Sequence, residues 1–306
     1  MTTTLNDWVE KVWRRVYSNS PDNTVQLLNA VGVNDTTITV TPASATAMRA
    51  NIILAIDYEI VYVTNWNPAS GIATIVRSYL GSTAATHTAN TLVYVQPKYT
   101  RFDVAVTLND ELNRLSSPDM GMFQIGVSTV TYNPVYMGYD LGTIPKNFLD
   151  VLEIRHKIPF PTRNYPKISK WKVLRSIPDS TVFPSGAGIV IYEGGYPGQP
   201  FYIQYSAPYT PVDLTVLANY TADLTTITGL QATALDIPPL GAEIQLTLPR
   251  EIKRNFMESQ PDPRKAPEVP SMAVSNSVQA MQILYTNRVT EEAARLTRQY
   301  TRTEGW

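Results

Sequence analysis

The chain reads as a mainly β protein with peripheral helices: a small N-terminal β domain, a central antiparallel β-sandwich and a C-terminal helical extension. Short runs of period-2 alternation recur between Pro, Gly and Asn punctuation, with no helical pattern between consecutive runs of the central region. That is the signature of antiparallel rather than parallel sheets. Composition agrees, since charged residues make up only 17% of the 306 residues, against roughly 25% in typical soluble domains, while Tyr, Thr and Pro are abundant. The length suits about two domains of ~150 residues, each able to bury a core without covalent staples.

Residues 1–24 carry an amphipathic helix over 5–18, with Trp8, Val9, Val12, Trp13, Val16 and Tyr17 on one face and Glu10, Lys11, Arg14 and Arg15 outside it. Thr4 and Asp7 have the spacing of a capping box. Residues 25–98 form the small β domain, with strands at 37–40, 59–63, 72–77 and 91–96 and a hairpin loop over 65–71. Residues 99–118 are a connecting helix, its stripe being Phe102, Ala105, Leu108, Leu112 and Leu115. Residues 119–234 form the sandwich, with strands at about 122–132, 149–158, 170–176, 187–193 and 200–206 and a turn over 194–200.

The region 235–306 is helical in character. Leu240, Ile244, Leu248, Ile252 and Phe256 repeat every four residues, but Pro249 interrupts them, so 240–256 is either a kinked helix or a strand over 243–248 followed by a helix. Pro261, Pro263, Pro267 and Pro270 make 259–270 an extended linker. Beyond it, Val278, Met281, Tyr285, Val289, Ala293, Leu296 and Tyr300 mark one face of a helix over 275–300, with Arg288, Arg295, Arg298 and Arg302 towards its polar side. Such a tethered helix packs on its own domain or reaches a neighbour. The second arrangement makes it an assembly element, which truncation after Gln260 removes without unfolding the β domains.

The net charge of −1 and the absence of cysteine speak against a broad nucleic-acid-wrapping face, disulfide frameworks and thiolate chemistry. No apolar run of signal-peptide or membrane-spanning length is visible, the longest aliphatic run being Ile52–Ile56. Only two histidines are present. His87 lies in a small-residue loop and His156 on a strand, neither with a metal-ligand companion nearby, and both read as ordinary residues of those elements. No nucleophile elbow, zinc-helix motif, phosphate loop or calcium loop occurs, and Gly186 with Gly188 lacks the rest of a dinucleotide fingerprint. Asp110 and Glu111 are neighbours on a helix and point apart. The expectation is a non-enzymatic protein without cofactor or metal. Arg250, Lys253 and Arg254 form the one local basic patch, joined on the last helix by Arg288, Arg295 and Arg298. The aromatic-rich helix faces supply a candidate oligomer interface through Trp8, Val12, Trp13, Val16, Met281, Tyr285, Val289 and Leu296.

Four short blocks carry a resemblance. They are RSYLGSTAATH over Arg77–His87, WKVLR over Trp171–Arg175, FPSG over Phe183–Gly186 and PREIKRNF over Pro249–Phe256. Together with the Arg-rich last helix, the chain resembles the head-to-tail connector, or neck, proteins of tailed bacteriophages. The first block is also similar to loops of other virion β domains, including tail and fibre proteins. The resemblance implies a ring-forming structural subunit, twelvefold if it matches a portal, that joins the portal protein to the tail or to a second neck protein around the DNA exit channel. The partners implied are other copies of the chain, the portal, the tail and nearby packaged double-stranded DNA, with no membrane. The implied location is the neck or tail region of the virion, assembled in the host cytoplasm. A tail or fibre component is the alternative, and a glycan-binding or glycan-cleaving β protein, using exposed Trp and Tyr, a more distant one.

Overall fold

A computed structural model describes residues 2–16, 23–41, 47–159, 165–179, 181–258 and 273–300, with the backbone alone at 248–258 and 273–277. The fold is mainly β, with antiparallel strand pairing throughout the described sheets and helices at the periphery. The chain divides into two compact units that are discontinuous in sequence: residues 1–111, 211–227 and 235–285 form the first, and 112–210, 228–234 and 286–306 the second. The C-terminal region therefore contributes to both.

The first unit is built on six strands, β1 (Asn23–Gln26), β2 (Thr37–Thr39), β3 (Ile52–Ile56), β4 (Glu59–Asn67), β5 (Ile72–Val76) and β6 (Leu92–Val95). Their order is β1-β6-β3-β4-β5-β2. The sheet curls until its two edges meet, where Leu28 N–H donates to the Thr39 carbonyl (2.8 Å) and Thr41 N–H to the Gln26 carbonyl (3.2 Å). Closure removes the exposed edges that an open sheet would present. Alternate residues, among them Leu54, Ile56, Val61, Val63, Ala73, Ile75, Val93 and Val95, fill the interior. Strand β4 runs on to Asn67 through a bulge between Val63 and Asn65, so the hairpin loop is shorter than the alternation predicts. The Asn67 side chain closes it by accepting from the Ala69 N–H at 3.0 Å.

Helix α1 (Leu5–Val16) starts at the predicted capping box, with Asp7 accepting from Thr4 N–H (2.9 Å) and Thr4 Oγ1 accepting from Asp7 N–H (3.2 Å). Helix α2 (Arg101–Leu115) has a second such box, Thr100 with Asp103, which the sequence reading did not single out. All five residues of its predicted stripe are buried. A short helix α3 (Leu224–Thr228) follows in the chain. Helix α4 (Ile237–Glu258) resolves the ambiguity at 240–256. The strand reading of 243–248 is not realised, because Leu240, Gly241, Ala242, Ile244 and Leu246 are all buried. Burial on most sides of a helix erases the one-sided 3.6-residue stripe, leaving an alternation that signals no sheet. Pro238 and Pro239 sit in its first turn, where the missing N–H groups have no intrahelical acceptor to lose.

The second unit contains two sheets. One has four strands in the order β10 (Lys167–Ile168), β9 (Asp150–His156), β13 (Pro200–Ala207) and β7 (Gln124–Thr131); the other has β11 (Trp171–Arg175), β12 (Ala187–Ile191) and β8 (Gly138–Asp140). Both contribute to one core, with Val151, Ile154, Phe201 and Ile203 from the first sheet meeting Tyr139, Trp171, Ile189 and Ile191 from the second, as in a sandwich. The predicted turn between β12 and β13 closes with Gln199 N–H donating to the Tyr196 carbonyl (3.0 Å), and Gly198 there adopts a φ of +75°. Helix α5 (Ala273–Gln299) matches the predicted last helix. Its residues up to Tyr285 belong to the first unit and those from Thr286 to the second. No helix among the described residues is long and apolar enough to cross a membrane.

Candidate functional site

The residues expected to form an oligomer interface are largely covered by the chain itself. Trp8 is 2% exposed, and Val12 and Val16 are buried. Arg15 pairs with Glu243 of α4 at 2.9 Å, and Glu10 accepts from Arg101 Nε and Nη2 at 3.0 and 2.7 Å. Trp13 packs edge-on to Tyr94 with ring centroids 5.2 Å apart, and the Arg101 guanidinium lies 4.7 Å above its ring. The apolar load of α1 is thus satisfied within the first unit: of the two partners open to this face, the chain's own body or a neighbouring subunit, the body covers Trp8, Val12 and Val16.

Helix α5 likewise packs on its own chain, the first of the two arrangements its apolar stripe allows. Val278, Tyr285, Val289 and Leu296 are buried and Met281 is half-buried. The Tyr285 hydroxyl donates to Glu111, a carboxylate fully excluded from solvent that also accepts from Gln245 Nε2 at 2.7 Å. Gly241 lets α4 approach, since a Cβ there would lie 2.3 Å from the Glu111 carboxyl carbon. Arg288 donates to Glu291 and to the Thr233 carbonyl, each at 3.0 Å. Arg295 donates to Glu292 (2.7 Å), to Thr233 Oγ1 (2.7 Å) and to Gln231. These two arginines are therefore anchored on their own chain, while Arg298 is exposed. The patch Arg250, Lys253 and Arg254 lies outside the described side chains.

What the sequence reading missed is a buried ionic cluster beneath the 77–87 segment. The Glu59 side chain is 0% exposed and that of Arg77 only 9%. Arg77 grips the carboxylate with Nε (2.5 Å) and Nη2 (2.6 Å), and donates also to the carbonyls of Gly32 and Ala85, each at 2.5 Å. Glu59 accepts further from the Ala85 N–H at 3.1 Å. His87, far from an ordinary loop residue, is buried with Nε2 2.9 Å from Glu59 and Nδ1 3.1 Å from Asp57. An imidazole facing an acceptor on both nitrogens donates to both only as the cation. Two cations and two carboxylates then balance. Glu59 shares a period-2 register with Val61 and Val63, so a carboxylate on a core-facing position was the available signal: it requires cations nearby.

The cluster fixes an unusual backbone. Ser78 and Leu80 both have φ of +53°, and Gly81 has φ of +82°. A left-handed conformation is costly for a bulky residue and persists where the surroundings over-determine it. Ser82, buried beside them, supplies part of that constraint by accepting from the Ile60 N–H at 2.9 Å and donating to the Tyr79 carbonyl at 3.0 Å. Tyr79 stacks on Tyr62 with centroids 5.1 Å apart. The outcome is a fixed knuckle whose tip, Leu80, is 62% exposed.

Burial opposes ionisation of Glu59, but hydrogen bonds from Arg77, His87 and the Ala85 N–H outweigh it and hold its pKa at about 2. Burial likewise opposes protonation of His87, and its bonds to Asp57 and Glu59 outweigh that, raising its pKa. A depressed carboxylate contributes stability that is present above its unfolded value and lost as pH falls through its folded one; a raised histidine contributes stability that is lost as pH rises through its folded value. The melting temperature should therefore plateau between about pH 4.5 and 6.5 and decline on both sides. Differential scanning fluorimetry of His87→Gln should give a lower melting temperature with the alkaline decline diminished. An undiminished alkaline decline would show that His87 is not cationic in the fold.

Among the described residues no group of three or more His, Asp or Glu is placed to hold a metal ion. Comparison of the sequence with protein-family models finds no match, and comparison with curated proteins finds none either.

Proposed function

We propose that this chain is a non-catalytic structural subunit of a tailed-phage virion, a ring-forming head-to-tail connector that joins portal to tail around the DNA exit channel. The observation that carries the reading is the Leu80 knuckle. The block over Arg77–His87, which bears the resemblance, folds into a strained loop whose buried charges serve to hold it still, and its tip presents an apolar side chain to solvent. Strain maintained at the surface by a buried ionic cluster suits an anchor preorganised for a partner's pocket, because little ordering cost remains at docking. The low charge content supports the same reading, since interface cores are depleted in Lys, Glu and Asp.

Electron microscopy of the purified chain, alone and mixed with portal, tests it: rings that cap the portal are expected, whereas trimers or fibres would assign the chain to the tail or fibre instead. Leu80→Gly gives a sharper test. Glycine tolerates the left-handed backbone, so the barrel should keep or gain stability, by up to ~1 kcal/mol, while ring formation and portal attachment are lost. Monomers of the natural chain under every condition, with portal and tail extracts present, would overturn the proposal.

A further inference from the structure

In the second unit, a half-open cleft of about 340 Å³ lies where the β11–β12 hairpin meets the 141–148 segment. Its volume falls at the lower end of small-ligand pockets. The floor is apolar, formed by Leu141, Ile144 and Phe148, all buried. At the rim stand two cations, Lys146 and Arg175. Arg175 is held without any acid: it donates to the carbonyls of Phe148 (3.2 Å) and Leu149, and its guanidinium lies 4.3 Å from the Phe148 ring centre. A guanidinium has five N–H donors, and these two bonds leave the others without an acceptor among the described residues. The nearby carboxylate, Asp140, does not neutralise it. Its Oδ1 accepts from Ser185 N–H (3.1 Å) and Oγ (2.6 Å), and its Oδ2 from Gly142 N–H (2.9 Å). Lys146 is exposed and has no acidic partner among the described residues.

We propose that this cleft binds a carboxylate carried on an apolar body, with Arg175 and Lys146 meeting the carboxylate and Leu141, Ile144 and Phe148 covering the body. An oriented guanidinium takes a carboxylate through parallel hydrogen bonds, and an uncharged floor rewards burial of a hydrocarbon while penalising a dianion. The carboxylate belongs to a free small acid or to an acidic side chain flanked by apolar residues on a polypeptide. The inference goes beyond the virion reading and does not depend on it.

Nuclear magnetic resonance of the isotope-labelled full chain tests it with phenylacetate against phenylacetamide, and with acetyl-Leu-Glu-Leu-amide against its Gln counterpart. The acids should shift the amide resonances of Ile144, Gly186 and Ala187, and the neutral analogues should not. A tighter response to the peptide assigns the ligand to a polypeptide, and a tighter response to phenylacetate to a free acid. Arg175→Met should weaken binding ~10-fold, the loss of a charge-assisted hydrogen bond. Because that change also removes two carbonyl contacts, Lys146→Met, at an exposed position, is the second variant and should weaken binding ~3-fold. Equal shifts from acid and amide, no shifts at all, or undiminished binding in both variants would overturn the assignment.

Discussion

Arg77→Met should destabilise the protein by about 3–5 kcal/mol in urea unfolding, an effect on the scale expected when one partner of a buried ion pair is removed. The change strips Glu59 of its bidentate partner inside the barrel, removes the Arg77 donor from the Ala85 carbonyl and leaves the Gly32 carbonyl with the Asp35 N–H alone, at 3.3 Å. Adding Glu59→Leu should restore part of the loss, since an uncompensated buried carboxylate is more harmful than none. The double-mutant cycle then isolates the coupling between the two residues. Lys at position 77 should not substitute, because an ammonium cannot reach two carboxylate oxygens and two carbonyls in one plane. A single-variant cost below about 1 kcal/mol, the range of exposed pairs, would mean that the cluster is solvated in solution and does not hold the knuckle.

Truncation after Gln260 should have the larger effect, contrary to the expectation drawn from the linker and the amphipathic stripe. Removing α5 takes away the Tyr285 hydroxyl that donates to the buried Glu111 and uncovers the surfaces packed against Val278, Tyr285, Val289 and Leu296. Loss of one large buried aromatic costs about 3–5 kcal/mol, and typical domains have only about 5–15 kcal/mol in total. The truncated chain should therefore melt without a sharp transition and expose apolar surface to a hydrophobic dye. Tyr285→Phe, which deletes only the hydroxyl, should cost about 1–3 kcal/mol. Cooperative melting of the truncated chain within a few degrees of the full one would show that α5 adds little to folding, and would return it to a role in assembly.

Much of the architecture was legible in the residues because local periodicity reports burial directly. The capping box at Thr4, the five-residue stripe of α2, the face of α5 and the strands β5, β9, β11, β12 and β13 all follow from spacing within a few residues along the chain. Helix α4 was ambiguous because its first turns are buried on most sides, which removes the polar face that identifies a helix. The short strands β8 and β10, three and two residues long, carry too few alternations to register. Sequence determined which faces are apolar; tertiary structure decided what covers them. Trp13 and Tyr285 look the same whether a neighbour or the chain itself covers them, and only the folded position of α2 shows that Arg101 and Glu111 are there to receive them. The cluster of Asp57, Glu59, Arg77 and His87 was beyond local reading for the same reason: its members lie up to thirty positions apart, and their meeting depends on how β4 and the returning loop are brought together when the barrel closes.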